Sequence, residues 1–258
     1  MDKFGACVTT VVQMRKEPSH KSELVSQLLF GEPYQILQKE QDWYYINTVN
    51  DSYEGWIDIN QSYIIDKNEF SRLNSIKSFR SNRLITFLEY NSQLLNISLG
   101  SFLYSKDNFK IGDLDFKFSN NETINENNLF NRIIDNAKKC LNIPYLWGGK
   151  TVFGFDCSGF VQVLYGVENI KLPRDASQQE KIGNVISDLF KSQKGDLAFF
   201  GNENIITHVG IIINNSEIIH CSGKVKIDKI DKKGIYNIEE KKYTHFLKSI
   251  KRIGEGNY

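Results

Sequence analysis

From residue 4 to about 65 the apolar positions come in short alternating runs cut by turn residues: Val8 to Met14, Glu23 to Leu29, Tyr34 to Leu37, Asp42-Trp-Tyr-Tyr-Ile-Asn and Gly55-Trp-Ile-Asp. Alternation with period two marks half-buried strands, and five so close together predict a small all-β barrel over residues 1–65. Residues 66–126 repeat the pattern more weakly. Leu84 to Leu88, Leu94 to Ile97, Gly100 to Tyr104 and Leu114 to Phe118 read as strands of a second, degenerate barrel that runs out into a polar linker at 119–128. At Leu129 the period changes. Leu129, Phe130, Ile133, Ile134, Ala137, Cys140 and Leu141 fall on one helical face, which stops at Asn142-Ile-Pro. A second helix is expected from Cys157 to about 166, followed by strands at Asp196 to Phe200, His208 to Ile213, Glu217 to Cys221 and near Phe246 to Arg252. Helices followed by an antiparallel sheet make residues 127–258 an α+β domain. The charge-rich Lys224 to Lys242 reads as solvated strand and loop, and His20 and His245 as surface residues.

The 258 residues carry 32 basic and 31 acidic side chains, a net charge of +1. That balance argues against nucleic acid or an anionic membrane as partner, and no apolar run approaches the ~20 residues that span a bilayer. A monomer is expected. The opening Met1-Asp-Lys-Phe-Gly-Ala-Cys-Val lacks the apolar core of a secretory signal, so the expected location is the cytoplasm, or the periplasm or exterior if a leader has been removed. Four cysteines (Cys7, Cys140, Cys157, Cys221) show no CxxC pair, which suits a reducing compartment. Cys7, Cys140 and Cys221 read as core.

Cys157 stands apart because of its setting. Pro144, Gly148, Gly149 and Gly154 hold a loop that breaks at Asp156, a good N-cap, into the apolar run Phe160, Val161, Val163, Leu164. The thiol thus opens a helix, where free N–H groups and the dipole acidify it and can hold an oxyanion. A base is then needed. His208 and His220 flank a turn, Asn214-Asn-Ser, between β-branched runs, and a hairpin there brings them to within a residue or so of register. One imidazole can take the thiol proton while the other fixes its tautomer. A zinc site from Cys157, His208, His220 and Cys221 is the competing reading, weakened because strand alternation turns Cys221 away from His220.

Asp156-Cys-Ser-Gly-Phe, Leu172-Pro-Arg-Asp, Lys194-Gly-Asp-Leu-Ala-Phe-Phe, His208-Val-Gly-Ile and Ile219-His resemble, in order, the NlpC family of bacterial cell-wall cysteine peptidases. Gln27-Leu-Leu-Phe-Gly-Glu, Asp42-Trp and Tyr53-Glu-Gly-Trp resemble bacterial SH3-like domains. Together they are most similar to the γ-D-glutamyl-L-diamino acid endopeptidases that carry such domains before the catalytic one. The resemblance implies a papain-like core with Cys157 as nucleophile, His208 as base, His220 as orienting residue and the Tyr145 hydroxyl at the oxyanion. It also implies substrate contacts from Asp156, Ser158 and Asp175, with Glu17 and Tyr53 of the first barrel reading the substrate's N-terminus; Glu32 and Glu54 are alternatives for that acid. Read from the residues alone, Asp156 is a helix cap, Ser158 a first-turn residue, and Asp175 a turn former or an ion-pair partner of Arg174.

The expected function is hydrolysis of the bond between γ-D-glutamate and meso-diaminopimelate or lysine in peptidoglycan-derived peptides with a free L-alanine terminus, in wall-peptide recycling, without metal or cofactor. The alternatives are a non-catalytic wall-binding module and a thiol acyltransferase or transpeptidase of the same fold.

Overall fold

A computed structural model describes residues 3–76, 78–118, 128–202, 205–238 and 240–254. The chain divides into two compact units, Met1–Ile124 with Trp147–Val152, and Asn125–Leu146 with Phe153–Tyr258. The linker expected at 119–128 lies outside the described residues except for Asn128.

The first unit opens with strands β1 (Lys3–Ala6), β2 (Val11–Arg15), β3 (Leu24–Leu29), β4 (Pro33–Glu40), β5 (Trp43–Thr48), β6 (Glu54–Asp58) and β7 (Tyr63–Ile65). They join in the order β3-β2-β6-β5-β4-β1-β7 around Cys7, Val12, Met14, Leu28, Tyr34, Ile46 and Ile57. Helix α1 (Lys67–Ser75) follows, absent from the sequence reading. Asp66 caps it by accepting from the Glu69 N–H (2.7 Å), and Leu73 is its buried residue. Strands β8 (Phe79–Arg80) and β11 (Phe102–Leu103) pair, and β9 (Ile85–Tyr90), β10 (Gln93–Ser98), β12 (Phe109–Ile111) and β13 (Leu114–Phe118) form a separate four-stranded sheet. Leu88, Ile97, Ile111 and Phe116 of that sheet pack in a second cluster, which also takes in Phe4, Ala6, Phe30 and Leu73.

Trp147–Val152 belongs to this unit and carries β14 (Lys150–Thr151). The Lys150 N–H donates to Gln27 Oε1 (2.7 Å), Trp147 Nε1 donates to Glu23 Oε1 (2.8 Å), and the Lys150 ammonium stands 3.8 Å from buried Glu32.

In the second unit, helix α2 (Leu129–Lys139) buries Ile133, Ile134 and Ala137, the face its period marked, with Cys140 buried just beyond. Then come β15 (Gly154–Phe155), α3 (Cys157–Val167), α4 (Ala176–Gln179), β16 (Asn184–Val185), β17 (Leu197–Asn202), β18 (Ile205–Asn214), β19 (Glu217–Ser222), β20 (Lys224–Ile230), β21 (Gly234–Asn237) and β22 (Lys242–Arg252). The sheet runs β16-β22-β17-β18-β19-β20-β21, and β21 also pairs with β22. Six strands of this antiparallel sheet therefore close on themselves, a closure that the expected antiparallel sheet left unstated. Ala198, Phe200, Ile212, Ile218, Ile230, Ile235 and Ile250 fill one cluster inside the closed sheet. Helix α3 is buried along its whole length and packs on β18 and β19, α2 packs on α3, and α4 packs on β18.

Candidate active site

Asp156 caps α3 by accepting from the Gly159 N–H (2.6 Å), which sets Cys157 at the first helical position. The thiol lies against the backbone N–H of Val209, the residue after His208 in β18. Helix and hairpin thus bring the Cys157 sulfur beside the backbone of the residue that follows His208.

The histidines owe their position to strand alternation. His208 has the parity of Ile212, and His220 that of Ile218, so both imidazoles point to the inner face of the closed sheet. His220 is in register with Gly210 rather than His208, so the pair meets diagonally, with His208 Nε2 and His220 Nδ1 2.8 Å apart. On β20, Asp228 shares the parity of Ile230 and places Oδ2 3.1 Å from His220 Nε2; Lys226 Nζ is also 3.1 Å from that carboxylate. His245, on β22, stacks on His208 with ring centroids 4.1 Å apart and 27° between planes, and its Nδ1 is 2.9 Å from Thr244 Oγ1. His245 was expected on the surface. The pairing of β22 with β17 sets Leu247 opposite Phe200, and His245 shares the parity of Leu247, so the site gathers three imidazoles, a carboxylate and an ammonium.

Hydrogen-bond polarity fixes the protons. An ionised Asp228 only accepts, so His220 carries its proton on Nε2 and offers the Nδ1 lone pair. His208 must then donate from Nε2, which leaves a lone pair on its Nδ1. Burial, with His220, His245 and Lys226 adding repulsion, holds the His208 pKa well below its ordinary value, so this ring is neutral. Burial also lowers His220 against the opposing pull of Asp228, and lowers His245 to about 4. Burial tends to raise the Asp228 pKa, but the hydrogen bonds from His220 and Lys226 outweigh it and leave the carboxyl low.

Cys157 departs from the acidified thiol of the sequence reading. Burial and the neighbouring Asp156 carboxylate push it up to about 11, against the smaller pull of the Val209 N–H, Arg174 and the Ser158 N–H. At neutral pH the two groups are thiol and neutral imidazole, so a reaction at this sulfur would need a base to take its proton.

Arg174 was read only as a possible partner of Asp175. It is fully buried and forks onto Asp156, with Nη1 to Oδ1 3.1 Å and Nη2 to Oδ2 2.5 Å, while Nη1 also donates to Ser158 Oγ (3.0 Å). Asp156 and Ser158, both expected to hold substrate, are thus held by this guanidinium. Arg174→Met is expected to cost roughly 3–5 kcal/mol in urea unfolding, because it strands a buried carboxylate, and Asp156→Asn in the same chain should recover part of the loss. Equal stability of the single and double variants would contradict this.

Asp175 heads α4 and is partly exposed; its N–H donates to Gln178 Oε1 (3.3 Å). Tyr145 is tied in place by its N–H to the Gly223 carbonyl (2.9 Å). Burial, then the Cys157 sulfur and the Asp156 carboxylate, push its phenol pKa up. Cys221 is buried and donates to the Phe155 carbonyl (3.1 Å). Glu17 and Tyr53 both lie in the first unit. The Glu17 N–H donates to Ser22 Oγ (2.9 Å), and Tyr53 packs partly buried against the barrel core. Of the alternative acids, Glu54 accepts from Tyr45 and Asn47, and Glu32 is completely buried.

A family model described as NlpC/P60 family matches residues 142–245, and one described as bacterial dipeptidyl-peptidase Sh3 domain matches residues 14–61. The chain is an NlpC/P60 domain behind a bacterial dipeptidyl-peptidase SH3 domain. The NlpC/P60 match takes in residues 142–245 and the SH3 match precedes it in the chain. Among relatives, "Dipeptidyl-peptidase 6" of Lysinibacillus sphaericus is 24% identical over 251 residues, 87% of this chain and 90% of that protein. "Gamma-D-glutamyl-L-lysine dipeptidyl-peptidase" of Bacillus subtilis is 40% identical over 91 residues, 34% of this chain and only 30% of that relative. A solved NlpC/P60 family protein from Bacillus cereus has the same fold, with a TM-score of 0.79 at 20% identity over 96% of this chain and 99% of that one. The NlpC/P60 domain is the one that holds Cys157, His208 and His220. Its match ends at His245, so it contains all three imidazoles of the site. Among the described residues, no helix is long and apolar enough to cross a membrane.

Proposed function

We propose that this chain is a cysteine peptidase that hydrolyses the amide between γ-D-glutamate and meso-diaminopimelate or lysine in peptidoglycan-derived peptides with a free L-alanine terminus. The observation that carries the chemistry is the hydrogen-bonded line Asp228–His220–His208, which leaves a lone pair on His208 Nδ1 in the unit that holds the Cys157 thiol. The names of the relatives supply the substrate class.

In this reading the Cys157 sulfur attacks the amide carbonyl carbon as His208 Nδ1 takes the thiol proton. Backbone N–H groups at the start of α3 and the Tyr145 hydroxyl receive the oxyanion. His208, now imidazolium, still donates through Nε2 to His220, which donates to Asp228, so the new charge faces a carboxylate two bonds away. His208 gives the proton to the departing amine, the C–N bond breaks, and a thioester remains. Water then adds to the thioester with His208 as base, releasing the acid and the thiol. The Asp175 carboxylate is the assigned partner for the substrate ammonium.

The test is mass spectrometry of products from L-Ala-γ-D-Glu-meso-diaminopimelate and its N-acetylated twin. The unmodified chain is expected to release diaminopimelate from the free-amine peptide alone, and Cys157→Ala to release none. Cleavage by Cys157→Ala, or of neither peptide by the unmodified chain, would overturn the reading. Cleavage of both would keep the hydrolysis and remove the requirement for a free amine.

A further inference from the structure

We propose that His208, His220 and His245 form a binding site for one zinc ion, and that an occupied site shuts off the base. The second half of this inference rests on the peptidase reading above; the first half does not.

Each of the three residues offers one ligand atom within 4.8 Å of the others. Tetrahedral zinc with Zn–N bonds of ~2.0–2.1 Å holds its nitrogens about 3.4 Å apart, so His208 Nε2 and His220 Nδ1, now 2.8 Å apart, need to part by about 0.6 Å. His245 has to close in by about an ångström or more and swing out of its stack. It is the least buried of the three, which leaves it room to do so. The rings are already supported as zinc-bound imidazoles are. His220 would bind through Nδ1 while Nε2–H donates to Asp228, the carboxylate–histidine arrangement that orients a metal-bound ring. His245 Nδ1 is engaged by Thr244 Oγ1, which leaves Nε2 for the ion. Lys226 is the one cation facing the cluster among the described groups, and it is paired with Asp228. Neutral nitrogen donors favour zinc over magnesium or calcium.

Binding and catalysis exclude each other through one proton. The working tautomer of His208 has its hydrogen on Nε2 and its lone pair on Nδ1. Zinc on Nε2 moves that hydrogen to Nδ1, with no net proton released, and Nδ1 can no longer accept from the thiol. The ion takes the place of the hydrogen shared by His208 and His220. The ligand set differs from the cysteine-containing one weighed from the sequence: no thiol is required, and His245 replaces both cysteines.

Calorimetric titration of Zn²⁺ into metal-free Cys157→Ala protein should show one ion per chain with micromolar or tighter affinity. His245→Phe and His245→Asn, each in that background and checked for folding by circular dichroism, should bind at least ~10-fold more weakly, while His20→Phe should not differ. Co²⁺ in the same site should give nitrogen-ligand absorption bands with no thiolate charge-transfer band, in the unmodified chain as well. In the unmodified chain, zinc should stop peptide cleavage and EDTA restore it. No saturable binding below about 100 µM, undiminished binding by both folded His245 variants, or a thiolate band would overturn the site. Because binding is read without substrate, a chain that cleaves neither peptide still decides the zinc site.

Discussion

Replacing His208 with alanine is expected to lower kcat by roughly 10⁴–10⁶ and to leave KM within a few-fold, because the ring acts on the reacting atoms and not on the resting complex. The size of the loss follows from the state of the thiol. With Cys157 pushed up to about 11, only about one sulfur in 10⁴ is thiolate at pH 7 without a base. The variant's residual rate should therefore climb about tenfold per pH unit between pH 7 and 10. The unmodified enzyme should be nearly flat there. Its acid limb should lie below pH 6.5, since the folded pKa of His208 is lowered and the lone pair survives until pH falls through that lower value. Single-turnover rates across pH for both proteins check this. A variant that keeps a tenth of the activity, or one whose rate is flat above pH 7, would remove His208 from the role of base. Cys157→Ala combined with His208→Ala should be hardly worse than either alone, as for groups that act in one step.

The parts of this site that were legible in the sequence are those that local pattern determines. Asp156 before an apolar helical run marks the start of α3, and Asn-Asn-Ser between β-branched runs marks the hairpin that carries His208 and His220. What was not legible depends on which strands lie side by side. Lys226, Asp228 and Ile230 do alternate along β20, but the abundance of charge from Lys224 to Lys242 looked like solvated surface. The pairing of β19 with β20 sets Asp228 opposite Ile218, on the face of His220, and the pairings of β17 with β18 and β22 bring His208 and His245 to one face. The alternation of a charged pair with Ile230 was the available signal. Thiol acidity departs from the pattern too: helix position suggests a low pKa, whereas burial and the neighbouring Asp156 carboxylate raise it. Helix α1 is short, with one buried residue, so its period was too weak to stand out among strands.

His220→Phe is expected to cost roughly 10⁴ in kcat, the scale seen when a catalytic histidine loses the partner that sets its tautomer. Phenylalanine fills the same buried space but accepts no hydrogen bond, so His208 Nε2–H is left unpaired in the site. The ring then gains by moving its proton to Nδ1, where it faces the thiol with a donor instead of a lone pair. His220→Asn should lose far less, about 10–100-fold, because an amide oxygen can still accept from His208 Nε2–H. Asp228→Asn tests the same line one step further out. A carboxylate can only accept, and so admits one proton arrangement along the chain of rings. An amide can also donate, and if it does, His220 must donate from Nδ1 and His208 must accept on Nε2, which reverses every proton and puts the wrong hydrogen on Nδ1. The variant should therefore populate both arrangements and lose about 10–100-fold in kcat with KM little changed. Nitrogen NMR of the imidazoles should show mixed tautomers in Asp228→Asn and one tautomer in the unmodified chain. Full activity with an unchanged tautomer in that variant would mean that His220 holds His208 without help from the carboxylate, and that the two-ring line ends at His220.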